Sequence, residues 1–224
     1  EYCRQDVRTE RAVHRRLAAF ELKGDSLATF QFDLRMNLRG IPVNTHALRN
    51  AQKIIDDVEG RVTEEFRRLT GLNPTQRQKI LELLQSLGVK IDNMQADTLE
   101  GLAPADSRAA RILELYRKLS YAAVKKVTKM RDWVCPDNRL RGVFTYYGAG
   151  TGRSSASGPQ LHNAKKATPE MAPLTKEAYA AIDKGITAEG LDLLYGEPYE
   201  VIASSIRHFV HQPGSEMLDG DFNA

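Results

Sequence analysis

The sequence predicts a mainly α fold with a small β component, of the α+β kind. Three observations predict it. Apolar residues recur at three- and four-residue spacing through most of the first 131 positions. Glycine and Asn-Pro punctuation cuts that pattern into helix-length pieces. Alternating runs are few and scattered, so no βαβ succession is available. The 224 residues are 42% hydrophobic and 27% charged, an ordinary globular composition that excludes a wholly disordered chain.

Taken in order, Val7, Ala12, Val13, Leu17 and Phe20 predict a helix over 2–22, ended by Gly24-Asp25-Ser26. Residues 29–43 alternate: Phe30, Phe32, Leu34, Met36 and Leu38 share one face at period two, so a strand is expected. Asn44 or Thr45 then caps a long helix whose apolar stripe runs from Leu48 to Leu69, with Gly71 ending it. Asn73-Pro74 opens a second helix that Gly88 closes, and the two are expected to form a hairpin. Short helices follow near 95–102 and from Ser107 to about Leu119, then a basic helix over roughly 120–131. Residues 142–149 read as a strand and 148–164, rich in Gly and Ser, as loop. Beyond Pro173 come two short helices, a third from Pro198 to about Val210, and a strand over 216–222.

Cys3 and Cys135 are too few for a disulfide framework or a zinc site. The opening residues are highly charged and lack the apolar core of a secretory signal. No apolar run approaches the roughly 20 residues of a membrane span. A cytoplasmic protein with no membrane partner is therefore expected. The net charge is +3, but Asp106 to Lys166 holds 13 Lys and Arg against 4 Asp and Glu. An excess of that size favours a polyanion.

GAGTGR at 148–153 invites comparison with phosphate-binding loops. It lacks the Gly-Lys-Ser/Thr ending of a P-loop, and the SSASGP after Arg153 is a poor helix start. The longer segment Thr151 to Asn163, TGRSSASGPQLHN, resembles the T-G-R-L-S-S-x-x-P-N-L-Q-N motif of the DNA polymerase I family (family A). Thr151, Gly152, Arg153, Ser155, Pro159, Leu161 and Asn163 match in register. Ser154, Ala156, Gln160 and His162 depart from it. EMLDGDFNA at the C-terminus is similar to the start of that family's motif A, and IRHFV from Ile206 to the segment leading into it. Tyr2-Cys3-Arg4-Gln5-Asp6 fits the Y-x-x-x-D exonuclease motif, and the helices around LYGEPYEV resemble an insertion of the bacteriophage-type branch.

The resemblance implies a template-directed DNA polymerase cut from the last exonuclease motif to the beginning of motif A. Residues 1–26 would end a 3′–5′ exonuclease domain. Residues 27–132 would form a thumb-like helical region, and 133–224 the first part of a palm with an insertion near 173–205. It implies two-metal phosphoryl transfer with magnesium, with Asp221 as catalytic carboxylate and metal ligand and the Phe222 carbonyl beside it. Asp6 would bind metal in the exonuclease site and Tyr2 would orient water there. Asp219 stands nearby, but no motif singles it out.

The same resemblance places Thr151, Arg153 and Ser155 at primer-template DNA, with Arg153 at the minor groove of the primer terminus. Gln160 and Asn163 would donate to bases or sugars, or else cap the loop. His162 can donate one hydrogen bond in place of the family's glutamine, or make no contact. Lys125, Lys126 and Lys129 would hold phosphates, with Arg117 and Lys118 just before them. Asn73, Thr75 and Gln76 would do so from a helix N-terminus, or merely cap it. Arg207 would meet DNA or nucleotide, or pair with Glu200 or Asp221. The partners implied are primer-template DNA, deoxynucleoside triphosphates and the rest of the polymerase chain. A non-catalytic DNA-binding module and a helical interaction protein are the competing classes.

Overall fold

Asn44 starts the longest helix. Its side-chain oxygen accepts from the backbone N–H groups of His46 and Ala47, satisfying two donors that the helix cannot. The helix runs Thr45–Thr70 (α3) and stops where the Gly71 N–H bonds to the Arg67 carbonyl. The computed structural model describes residues 2–210. It is 64% helical, with two small antiparallel sheets among the described residues, as the apolar spacing predicts.

Ahead of α3 lie α1 (Tyr2–Leu17), α2 (Gly24–Arg39) and β1 (Ile41–Pro42). After it come α4 (Arg77–Ser86), α5 (Ala96–Leu99), α6 (Ser107–Leu119) and α7 (Lys125–Trp133). Then follow β2 (Arg139–Leu140), β3 (Phe144–Thr145), β4 (Ser155–Ala156), α8 (Thr175–Asp183), α9 (Ala188–Tyr195) and α10 (Pro198–Ser204). β1 pairs with β2 and β3 with β4.

Two apolar cores share α3. Its first half, Ala47 to Val58, packs with Val127 and Met130 of α7, Leu140 and Val143, and the inner faces of α8 to α10. Phe66, nearer its end, packs with Ile80 and Leu84 of α4 and with Ile112, Leu113 and Tyr116 of α6. A 26-residue helix is about 39 Å long, long enough to serve both.

Several expectations are corrected. The strand over 29–43 is instead α2, with β1 after it. Leu27, Phe30, Leu34 and Leu38 also lie at helical spacing, so the segment carries both periods. The helix satisfies its own backbone bonds, and no described strand offers this run a ladder. Gly24-Asp25-Ser26 begins α2 and does not end α1, which gives way to a 3₁₀ turn at Ala18–Phe20. The strand over 142–149 shrinks to β3, because residues 146–154 form the tip of its hairpin with β4. α4 begins at Arg77 and spans 10 residues, too short for a long hairpin; the main neighbour of α3 in this half is α6. Arg111 of α6 closes that contact with two hydrogen bonds to the Glu65 carboxylate. The strand expected over 216–222 lies outside the described residues.

Candidate nucleic-acid interface

The TGR segment occupies the β3–β4 hairpin and the loop after it. Phe144 pairs with Ala156 and Thr145 with Ser155. At the tip, the Ala149 N–H donates to the Arg153 carbonyl at 3.0 Å and the Gly152 N–H to the Ala149 carbonyl at 2.9 Å. Gly148 is required where it stands. A Cβ there would lie 2.0 Å from the Ser155 hydroxyl oxygen and 2.8 Å from the Ser155 Cβ. The Ser155 hydroxyl therefore packs inside the hairpin against Gly148.

α2 carries this hairpin. The Asn37 side chain accepts from the Phe144 N–H and donates to the Phe144 carbonyl, both at 3.0 Å, as a neighbouring strand would. Asn37 also donates to Asp33 at 3.0 Å. The Phe30 ring meets Tyr146 edge-on with centroids 5.5 Å apart, and the Tyr146 hydroxyl donates to the Ser26 carbonyl. No sequence periodicity announces this buttress, because it depends on residues more than 100 positions apart.

The following loop, 157–163, lies on α7. Lys126 and Trp133 share one stripe of that helix at i, i+7 spacing. The Lys126 ammonium donates to the Pro159 carbonyl at 3.2 Å and the Gln160 carbonyl at 3.0 Å. The Trp133 indole N–H donates to the Arg141 carbonyl at 2.9 Å, and its ring lies under Gly158. Gly158 has φ +62, and a Cβ there would sit 2.9 Å from the Trp133 ring. Gly158→Ala is therefore expected to cost about 1–3 kcal/mol of stability. It should also shift the emission of Trp133, the single tryptophan of the chain; an unchanged spectrum and melting curve would contradict the close contact.

Of the Lys and Arg between Asp106 and Lys166, most are engaged within the chain. Arg111, Lys118, Arg131, Arg141 and Lys165 pair with carboxylates. Arg108, Arg117, Lys126 and Arg139 donate to backbone carbonyls. Lys125, Lys129, Arg153 and Lys166 are exposed, and their side chains make no hydrogen bond or ion pair among the described residues. Thr151, Gln160, His162 and Asn163 are exposed beside them in sequence. Lys125 and Lys129 share a face of α7 at i, i+4. Arg117 and Lys126, expected among the cations that hold phosphates, have their charges engaged within the chain. The backbone carbonyls of Leu99, Leu102, Pro159 and Gln160 take up these two charges.

Just past the loop, Lys165 bonds Glu200 and the Tyr121 hydroxyl, and Tyr121 donates to Glu200 at 2.6 Å. Burial and the bond to Glu200 push the Tyr121 pKa up to about 12. Burial opposes ionisation of both Lys165 and Glu200, yet their mutual bond prevails, raising the one and lowering the other. This junction fastens the loop's exit to α10. The charge pattern hides it, since its members are 44 and 35 positions apart. Glu200, one of the partners considered for Arg207, is thus held by Lys165 and Tyr121; Arg207 is exposed.

The remaining candidates lie elsewhere. Asn73 accepts from Arg67 at 2.9 Å, and its N–H donates to the Gln76 side chain. With the exposed Thr75 it sits past the C-terminus of α3. α7 is tied to Gln52 of α3 through Thr128, about 27 Å of helix from Thr70. Tyr2 and Asp6 are exposed on α1, which buries no residue. Magnesium requires several oxygen ligands. Among the described residues no three His, Cys, Asp or Glu come together to hold an ion. Asp221 and Phe222 lie outside the described residues.

No family model matches the chain. Over 228 aligned residues covering all of it, the chain is 30% identical to a DNA polymerase of Bacillus phage SP02. From end to end, this chain is similar to part of a phage DNA polymerase. It spans 35% of that protein's length. Among the described residues no helix is long and apolar enough to cross a membrane.

Proposed function

We propose that the chain is the primer-template-binding part of a template-directed DNA polymerase of the phage branch of family A. The observation that carries this reading is the end-to-end similarity to a phage DNA polymerase. The geometry supports it: unpaired cations on α7 and on the hairpin tip flank a loop of exposed amides. Lys125, Lys129 and Lys166 would meet phosphates, which fix register without reading sequence. Arg153 would enter the minor groove at the primer terminus, where every base pair offers acceptors. Gln160, His162 and Asn163 would donate beside it.

The finer assignments belong to the same proposal. Residues 27–132 act as thumb, and 133–224 as the first part of a palm. Asp221 serves the polymerase site with magnesium and deoxynucleoside triphosphates. Tyr2 and Asp6 serve an exonuclease site completed by residues beyond this chain.

The test is binding of a fluorescent primer-template duplex across salt. A chain that neutralises phosphates loses affinity steeply as salt rises. Arg153→Ala is expected to weaken binding at the primer terminus by about 1–3 kcal/mol, roughly 5- to 150-fold. In the intact enzyme it should slow extension and alter the response to a mispaired terminus. No binding at low salt would sink the reading.

A further inference from the structure

Lys126 differs from its neighbours on the basic helix. Its ammonium is bonded to two neutral carbonyls, Pro159 and Gln160, and to no carboxylate among the described residues. It is half-buried, so reagents in solvent reach it less readily than its exposed neighbours. The segment it holds is one that local forces disfavour. Gln160 stands in the left-handed region at φ 47 and ψ 60, which costs a residue with a Cβ. On the same stripe of α7, at its last residue, the Trp133 ring supports Gly158. The loop is thus gripped at three consecutive residues, 158 to 160. Past that grip, His162 and Asn163 are exposed.

We propose that Lys126 is a positioning residue that clamps loop 157–163 onto α7, so that Gln160, His162 and Asn163 face the primer-template duplex together, and that it does not itself contact phosphate. This rests on the polymerase reading above. Lys125 and Lys129, exposed on the adjoining face, take the phosphate role. Both ends of the clamp belong to one rigid helix, so the spacing from phosphate contact to loop amides is set by α7. A charge-assisted bond to a carbonyl suits this role, because it holds backbone position whatever side chain the loop presents.

Three measurements on the chain test it. In the unmodified protein, an amine-reactive ester should acylate Lys126 more slowly than Lys125 and Lys129. Adding primer-template duplex should protect those two and leave the Lys126 rate as it was. Second, Lys126→Met should red-shift Trp133 emission and open it to acrylamide, whereas Lys129→Met should leave Trp133 as it is. Third, Lys126→Met should weaken duplex binding on the order of tenfold at every salt concentration, with Lys126→Arg restoring most of the loss. Lys129→Met should instead reduce the salt slope by about 0.9.

Fast acylation of Lys126 that duplex suppresses would overturn the clamp even if Lys126→Met does not fold. A Lys126→Met slope change equal to that of Lys129→Met would do the same. Absence of duplex binding by the unmodified chain would overturn the polymerase reading and, with it, the duplex as the loop's target.

Discussion

Asp221→Ala, in the intact polymerase to which this chain is proposed to belong, is expected to lower nucleotide incorporation by about 10³-fold or more. Phosphoryl transfer leaves the protein little covalent work, so catalysis rests on positioning and on stabilising developing charge. A magnesium ion selects carboxylate oxygen, and its charge stabilisation amounts to several kcal/mol. About 1.4 kcal/mol corresponds to each tenfold in rate. Asp221 is proposed as the motif A carboxylate on sequence resemblance, because Phe222 follows it in the Asp-Phe/Tyr order of that motif. Primer-template affinity should change less than about twofold, because the exposed cations are on α7, on the hairpin and at Lys166. Asp219→Ala, two positions away and not singled out by the motif, should incorporate at close to the unmodified rate. Single-turnover incorporation beside anisotropy binding separates these outcomes; normal incorporation by Asp221→Ala would remove the motif A assignment.

Phe66→Ala should cost about 3–5 kcal/mol, the range for truncating a buried phenylalanine. The ring is fully buried, with its centroid 6.3 Å from that of Tyr116. It joins α3 to both α4 and α6 within a core separate from the one under α7. Removing it leaves a cavity among Ile80, Leu84, Ile112, Leu113 and Tyr116 of the same core. For a chain of this size the melting temperature should fall by roughly 6–20 °C. Leu193→Ala, on α9 and 85% exposed, should shift stability by less than about 0.5 kcal/mol. A circular-dichroism melt of each variant checks the pair. A Phe66→Ala loss no larger than that of Leu193→Ala would mean that the second core does not hold α3.

How legible each element was depended on whether its cause is local. α6 is predicted to start at Ser107 and does, because Asp106 caps it by accepting from the Ala109 N–H. α3 follows from its own stripe and from Asn44. α2 misleads because one apolar series fits two periods. Phe32 and Leu38, which support the alternating reading, are 60% and 66% exposed, so they do not report a buried strand face. What decides α2 is Asn37 and Phe30 meeting Phe144 and Tyr146, residues brought in by the β3–β4 hairpin.

The interface divides in the same way. Thr151, Arg153, Gln160, His162 and Asn163 could be picked from the order of residue types in one short segment. Which lysines accompany them could not. Lys125, Lys126 and Lys129 are equivalent in composition and lie within two turns of one helix. Only the packing of loop 157–163 against α7 turns Lys126 inward and leaves the other two exposed. Trp133 likewise enters the site through a contact with Gly158, 25 positions on.

By itself, then, the sequence determined the mainly α composition of the chain, most helix boundaries, and the segment that carries the candidate DNA-contacting residues. Caps, apolar spacing and motif order act over a few residues and can be read in one dimension. The tertiary structure decided which positive charges remain available and which serve as struts. A cation's partner is set by whatever backbone or carboxylate the fold brings within about 3 Å, often from more than 30 positions away.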